Sequence, residues 1–96
     1  MTYAAGALFE WDEEKSAENL RGRGFDFAYT CRIFSGPTLE RDDTRGEYGE
    51  RRIQAIGRVG GDTLFVVYTW RGAARRIISA RPASRRERDA YRQVQA

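Results

Sequence analysis

The stretch TLFVVYTWRGAARRIISARP, residues 63–82, carries the strongest structural signal in the chain. Residues 63–70 are apolar almost throughout and rich in β-branched and aromatic side chains, which is typical of a central strand covered on both faces. Arg71-Gly72 supplies a turn, and residues 75–81 form the partner strand, which Pro82 ends. Strict alternation puts two sets on opposite faces of this strand: Arg76, Ile78 and Ala80 on one, Ile77, Ser79 and Arg81 on the other. The stretch therefore predicts an antiparallel hairpin inside a sheet.

Working outward from the hairpin toward the N-terminus, residues 51–57 read as a further strand, joined to it by a tight turn at Gly60-Gly61. The polar, turn-rich segment 38–50 predicts a short edge strand followed by a loop. Residues 7–11 are interpreted as a first strand.

Two short helices are predicted between the first strand and the edge strand. Asp12 has the position of an N-cap, and the glycines of RGRG, residues 21–24, end the first helix. Asp26 caps a second helix whose apolar stripe is Phe27, Cys31 and Phe34, and Gly36-Pro37 ends it.

The C-terminal segment carries the spacing of a capping box at Ser84 and Glu87, so a last helix is expected from Ser84, with Tyr91 and Val94 packing inward. The element order β-α-α-β-β-β-β-α predicts an α+β fold: one domain over residues 1–96, with a largely antiparallel four- to five-stranded sheet, two N-terminal helices and one C-terminal helix.

The charge is unevenly distributed along the chain. Residues 1–50 hold 11 acidic and 6 basic residues, whereas residues 51–96 hold 3 acidic and 11 basic ones. Nearly all the basic residues are arginine, whose planar fork of donors matches phosphate and carboxylate. A genome rich in G and C would also favour arginine, but clustering in one half indicates a basic surface for nucleic acid or an acidic protein partner.

Composition excludes several kinds of site. The chain has one cysteine and no histidine, so an internal disulfide and the usual zinc ligand sets are excluded, and no cofactor is expected. Cys31 lies on an apolar stripe without a histidine to activate it, which favours a core role over a nucleophilic one. No secretion signal or long apolar run is present, so the protein is expected in the cytoplasm and not in a membrane.

Four blocks of sequence carry a resemblance to a known family. FEWDEEKSAENL (9–20), ERRIQAIG (50–57), VVYTWRG (66–72) and RIISARPASRRERDAY (76–91) together resemble the BrnT family, the toxin half of bacterial BrnT/BrnA toxin-antitoxin modules. The resemblance implies a RelE-like fold and cleavage of RNA that arrests growth. It also implies a hetero-oligomer with a BrnA-type antitoxin, in which only the antitoxin binds operator DNA.

The chain departs from this family at one point. Where BrnT proteins usually read Lys-His-Gly between the first two helices, this chain reads Gly22-Arg23-Gly24. Two hypotheses follow: a metal-independent endoribonuclease, or a catalytically weakened homologue that binds an antitoxin or RNA.

For the enzyme, cleavage requires alignment of the ribose 2′-hydroxyl, stabilisation of charge on the phosphate and proton transfer. The predicted catalytic residues are the phosphate-gripping Arg52, Arg76 and Arg81 and the proton carriers Glu50, Tyr68 and Tyr91. The predicted RNA-binding residues are Arg23, Arg71, Arg75, Arg85 and Arg88. Trp11 and Trp70 are interpreted as core or antitoxin-contact residues before base-stacking ones, and no metal ligand is assigned.

Overall fold

The computed structural model describes residues 8–95 of the chain. Its elements, in chain order, are β1 (Phe9–Trp11), α1 (Glu13–Arg23), α2 (Phe27–Thr30), a 3₁₀ helix (Cys31–Ser35), β2 (Leu39–Asp42), β3 (Ile53–Val59), β4 (Asp62–Arg71), β5 (Ala74–Pro82) and α3 (Arg85–Gln95). The predicted order of strands and helices is therefore confirmed. Ala7, where the first strand was expected to begin, lies outside the described residues.

The strands form one five-stranded sheet in the order β1-β5-β4-β3-β2. Strands β2 to β5 are antiparallel to their neighbours, joined by short turns, while β1 pairs in parallel with β5. A parallel pair needs a long connection, and the whole of the chain between β1 and β5 supplies it. The sheet is thus mixed but largely antiparallel, and the α+β class is confirmed.

A β-bulge in β5 overturns the predicted alternation of that strand. Val67 pairs with Ser79 and Tyr68 with Ile77, so Ile78 is the extra residue. Arg76 and Arg81 therefore pair with Thr69 and Phe65, which are four residues apart on β4 and on one face. The expectation of opposite faces for these two arginines was wrong, because one bulged residue reverses the alternation beyond it.

Each face of the sheet carries its own apolar cluster. On the face covered by α2 and the 3₁₀ helix, here called the α2 face, the buried cluster includes Phe27, Ile33, Val66, Tyr68 and Ile77. On the opposite face, the α3 face, Tyr91 packs against a smaller cluster that includes Ile56, Phe65 and Val67. Burial on both faces explains the nearly continuous apolar run of β4.

The helix boundaries follow the capping signals in the sequence. The Asp12 carboxylate accepts a 2.9 Å hydrogen bond from the Glu14 amide, and Gly24 ends α1 in the left-handed conformation at φ 86°. Ser84 and Glu87 form the reciprocal bonds of a capping box at the start of α3.

Three sequence expectations about packing differ from the structure. The second predicted helix becomes one α-helical turn followed by a 3₁₀ helix, which still buries Phe27 and Cys31. Val94 is 59% exposed and does not pack inward. Trp70 is 44% exposed, so core packing, one of its two expected roles beside antitoxin contact, is wrong, whereas Trp11 is buried. No helix within residues 8–95 has both the length and the apolar character needed to cross a membrane.

Candidate active site

A pocket of about 480 Å³ opens on the α2 face, near the edge of the sheet formed by β2. It combines a carboxylate, a phenol, an indole and several guanidinium groups. Its lining residues are Glu40, Arg41, Asp42, Arg51, Ile53, Tyr68, Trp70 and Arg75.

Strand register brings these residues together. Tyr68 and Trp70 are two residues apart on β4 and so point to the same face, and the hairpin register puts Arg75 of β5 opposite Trp70. Glu40 enters from β2, where it pairs with Ala55 of β3, a residue buried on the α2 face. With Ile53 of β3, four strands therefore contribute to one pocket.

The closest polar contact in the pocket is between Tyr68 and Glu40. The Tyr68 hydroxyl donates a 2.5 Å hydrogen bond to Glu40 Oε1, and Thr38 donates one of 2.5 Å to Oε2. Burial, and then the bond to Glu40, raise the pKa of the Tyr68 hydroxyl, while hydrogen bonding to Arg75 and the charge of Arg75 act in the opposite direction. The hydroxyl is consequently protonated at neutral pH.

Arg75 lies against three aromatic rings. Its guanidinium carbon is 4.3 Å from the centroid of Phe34, 4.6 Å from that of Trp70 and 5.4 Å from that of Tyr68. Its Nε is buried without a hydrogen-bond partner, and no carboxylate within residues 8–95 forms an ion pair with it. Cation–π contact stabilises this charge without neutralising it, so it is available to an anionic ligand.

The mouth of the pocket is polar and open to solvent. Arg51 donates a 2.8 Å hydrogen bond to Asp42, and their side chains are 73% and 55% exposed. Such an exposed pair is weak, so a stronger anion can displace the carboxylate from Arg51. The pocket thus offers a carboxylate that can accept a proton, a phenol that can donate one and cations for a phosphoryl group.

The three arginines predicted to grip phosphate share the α3 face but are each paired with a carboxylate. Arg81 forms a two-pronged ion pair with Glu87 at 2.8 and 2.9 Å. Arg52 pairs with Glu50 at 3.2 Å and Arg76 with Glu10 at 3.4 Å.

Distance also separates members of this set. Arg76 and Arg81 stand opposite positions four residues apart on β4, which corresponds to about 13 Å. Arg71, at the end of β4, adds a 3.7 Å contact to Glu50, so Glu50 is shared by two cations. The structure brings Arg52, Arg71 and Glu50 together. Arg81 pairs with Glu87 instead and lies apart from them.

Tyr91 and the arginines of α3 lie away from the pocket. Tyr91 is buried and its hydroxyl donates a 2.8 Å bond to the Pro37 carbonyl, which suits packing better than proton transfer. Arg88 donates to the Ala83 carbonyl at 2.8 Å, and Arg85 is exposed to solvent.

Arg23 lines a separate groove of about 550 Å³. Its guanidinium donates a 3.3 Å bond to Asn19, and the groove also contains Tyr29, whose hydroxyl donates a 2.7 Å bond to Asp62. Asp62 begins β4, whereas Trp70 stands near its end, so the groove and the pocket are at opposite ends of the strand.

Cys31 belongs to the core of the α2 face, as its apolar spacing predicted. It is 5% exposed, and burial raises the pKa of its thiol to about 12. A thiol with this pKa is not a nucleophile at neutral pH.

Sequence reasoning missed Glu40 and Arg51 as members of a site. Both lie in or next to the polar segment 38–50, where charged residues are usual and carry no periodic signal. The period of two on β4 did put Tyr68 and Trp70 on one face, and the hairpin turn put Arg75 across from them. Strand period and turn position together therefore suffice to predict that Tyr68, Trp70 and Arg75 lie close together.

Comparison with known proteins gives one family. A family model described as the ribonuclease toxin BrnT of type II toxin-antitoxin systems matches residues 11–87. No curated protein matches the chain significantly. The matched range includes every residue of the pocket.

Proposed function

Because the chain belongs to the BrnT family of ribonuclease toxins of type II toxin-antitoxin systems, we propose that it is a metal-independent endoribonuclease with its active site in the Glu40–Tyr68–Arg75 pocket. The observation that carries this proposal is the 2.5 Å bond between Tyr68 and Glu40, beside Arg75, which has no carboxylate partner among residues 8–95. Family membership supports ribonuclease activity, and the pocket geometry supports the assignment of roles.

In the proposed reaction, Glu40 removes the proton of a ribose 2′-hydroxyl as its oxygen attacks the adjacent phosphorus. A 2′,3′-cyclic phosphate forms, the bond from phosphorus to the 5′-oxygen breaks, and Tyr68 gives its proton to that leaving oxygen. Glu40 then returns its proton to Tyr68 along their hydrogen bond, which restores the starting state. No metal is needed for this balance of protons.

Arg75 and Arg51 are the proposed phosphate ligands. Negative charge grows on the phosphoryl oxygens during attack, and guanidinium donors held in place stabilise it without reorganisation. Arg75 is favoured over Arg52, Arg76 and Arg81 because its charge is not already compensated by a carboxylate. Those three, with Arg71, are proposed to attract RNA to the molecule and not to hold the reacting phosphate.

Glu40→Gln tests the proposal, since it removes the base but keeps the size of the side chain. Protein freed of antitoxin would be incubated with end-labelled RNA in EDTA, and we expect cleavage to fall roughly 10²- to 10⁴-fold with RNA binding unchanged. The exposed Glu47→Gln is the matched control and should cut at the wild-type rate. Cleavage that survives in Glu40→Gln, or that EDTA abolishes in the wild type, would contradict the proposal.

An antitoxin partner follows from membership of a type II family. We propose a BrnA-type antitoxin in a hetero-oligomer, with operator DNA bound through the antitoxin alone, and a RelE-like relationship for the fold. An enzyme that cuts transcripts would act in the cytoplasm.

A weakened homologue is the second candidate, and it rests on the expectation, drawn from the family resemblance alone, of a histidine where this chain has Arg23. In its favour, arginine keeps its proton and cannot act as a base. Against it, Arg23 lines a different groove from Glu40 and Tyr68, so its substitution leaves the proposed proton carriers in place.

A further inference from the structure

Trp70, the penultimate residue of β4, is a large aromatic side chain that the fold leaves 44% exposed. Four large apolar residues within residues 8–95 are strongly exposed: Leu8, Leu20, Trp70 and Val94. Of these only Trp70 is aromatic and lines the pocket, while the other tryptophan, Trp11, is 4% exposed and bonds through its indole N–H to Glu13.

The indole of Trp70 is held firmly by two neighbours. The Tyr68 ring meets it edge-on, with centroids 5.7 Å apart and an interplanar angle of 83°. The Arg75 guanidinium lies over the ring at 4.6 Å. Arg75 lies over one face of the ring, and 44% of the residue stays exposed, which leaves Trp70 accessible to a ligand. Little side-chain freedom is lost when a ligand stacks there.

Arginines that an anionic ligand could reach line the same pocket as this exposed ring. Arg75 carries no carboxylate partner within the described chain, and Arg51 shares only a solvent-exposed pair with Asp42. A flat apolar face beside such cations matches one chemical class, a nucleotide with its base unpaired. A base inside a duplex has both faces covered by its neighbours and cannot reach the indole.

We infer that Trp70 forms a nucleobase subsite, so that the pocket takes single-stranded RNA and stacks one unpaired base next to the phosphate held by Arg75. This rests on the proposed function and adds the substrate class to it. The subsite is separate from the proton carriers, so binding measured on an uncleavable strand tests it independently of catalysis.

The test is fluorescence anisotropy of a labelled 2′-O-methyl RNA strand, which has no free 2′-hydroxyl to attack. We expect Trp70→Ala to weaken binding of the single strand roughly 5- to 150-fold, Trp70→Phe to weaken it less, and the matched duplex to bind both variants equally. Leu20→Ala, which removes an equally exposed apolar side chain in the other groove, is the control and should bind as the wild type does.

A set of strands with one base removed at each position in turn identifies the stacked base. Removal of the base at one position should weaken RNA binding by the wild type but not by Trp70→Ala. The base and the indole form one contact, so losing the base has no further effect once the indole is gone. Wild-type affinity of Trp70→Ala for the intact strand would overturn the inference. A wild-type protein that loses the same affinity at every abasic position would also overturn it. If Trp70→Ala then also binds the antitoxin more weakly, Trp70 belongs to a protein contact.

Discussion

The hydroxyl of Tyr68, on the central strand β4, donates a 2.5 Å hydrogen bond to the carboxylate of Glu40 on the edge strand β2, across the intervening β3. The bond spans 28 residues of sequence and joins the two most chemically useful groups of the pocket. The bond helps to position Glu40, and together with burial it raises the pKa of the Tyr68 hydroxyl.

Tyr68→Phe removes that bond and the proposed general acid but keeps the buried ring. We expect cleavage to fall roughly 10²-fold, because the leaving oxygen loses its proton donor and Glu40 loses a partner that orients it. Single-turnover cleavage of labelled RNA measures the change. Tyr29→Phe is a matched control, since it also removes a tyrosine–carboxylate bond, to Asp62, and should leave the rate unchanged. Equal effects of the two substitutions would show that loss of any such bond is responsible.

Arg75→Met tests which arginine meets the reacting phosphate. Methionine fills the space between the rings without the charge, so we expect cleavage to fall roughly 10²- to 10³-fold with little loss of stability. Arg81→Met removes an arginine that is already paired with Glu87 and should lower thermal stability more than activity. A larger loss of activity in Arg81→Met than in Arg75→Met would place the phosphate site on the α3 face. Cleavage rates and melting temperatures of both variants decide between them.

Arg23→His introduces the histidine that the family resemblance leads us to expect between the first two helices. Because Arg23 lines the groove at the other end of β4 from Glu40 and Tyr68, we expect the cleavage rate to stay within about twofold of the wild type. Arg21→His, two residues before Arg23 in α1 and also exposed, controls for adding a histidine to this helix. A large rise in rate in Arg23→His alone would mean that the natural protein is impaired and that catalysis uses this groove.

Most of the fold could be predicted from local signals. Asp12, Gly24 and the capping box at Ser84 fixed the helix ends because each satisfies backbone groups within a few residues. The apolar run of β4 and the turn after it fixed the hairpin. The bulge at Ile78 could not be predicted, since one extra residue changes which face Arg81 occupies while every local propensity stays the same.

The candidate site was harder to predict because it depends on contacts between distant segments. Tyr68, Trp70 and Arg75 could be grouped from strand period and turn length alone. Glu40 could not, since its position depends on how β2 pairs across β3 after a polar loop that carries no periodic signal. The choice between paired and unpaired arginines likewise needed three-dimensional contacts: Arg75 and Arg76 are adjacent in sequence, yet within residues 8–95 only Arg76 has a carboxylate partner.

The Arg81–Glu87 pair predicts an acid dependence of stability. The ion pair, assisted by the Ser84 amide, lowers the pKa of Glu87 to about 2 from an ordinary value of 4.5, and this stabilises the fold above the unfolded-state pKa. The contribution is complete above about pH 5 and is lost as the pH falls through the folded-state pKa. Because Arg81 is 37% exposed, screening by solvent reduces it to about 1–2 kcal/mol.

Glu87→Gln isolates this contribution, since glutamine preserves the capping box but not the charge. Urea unfolding followed by circular dichroism should show the variant less stable than the wild type by about 1–2 kcal/mol at pH 7, with the difference vanishing near pH 2. The exposed Glu47→Gln should show no such difference at either pH. A difference between wild type and Glu87→Gln that does not change with pH would mean that packing or capping, and not the charge of Glu87, makes the contribution.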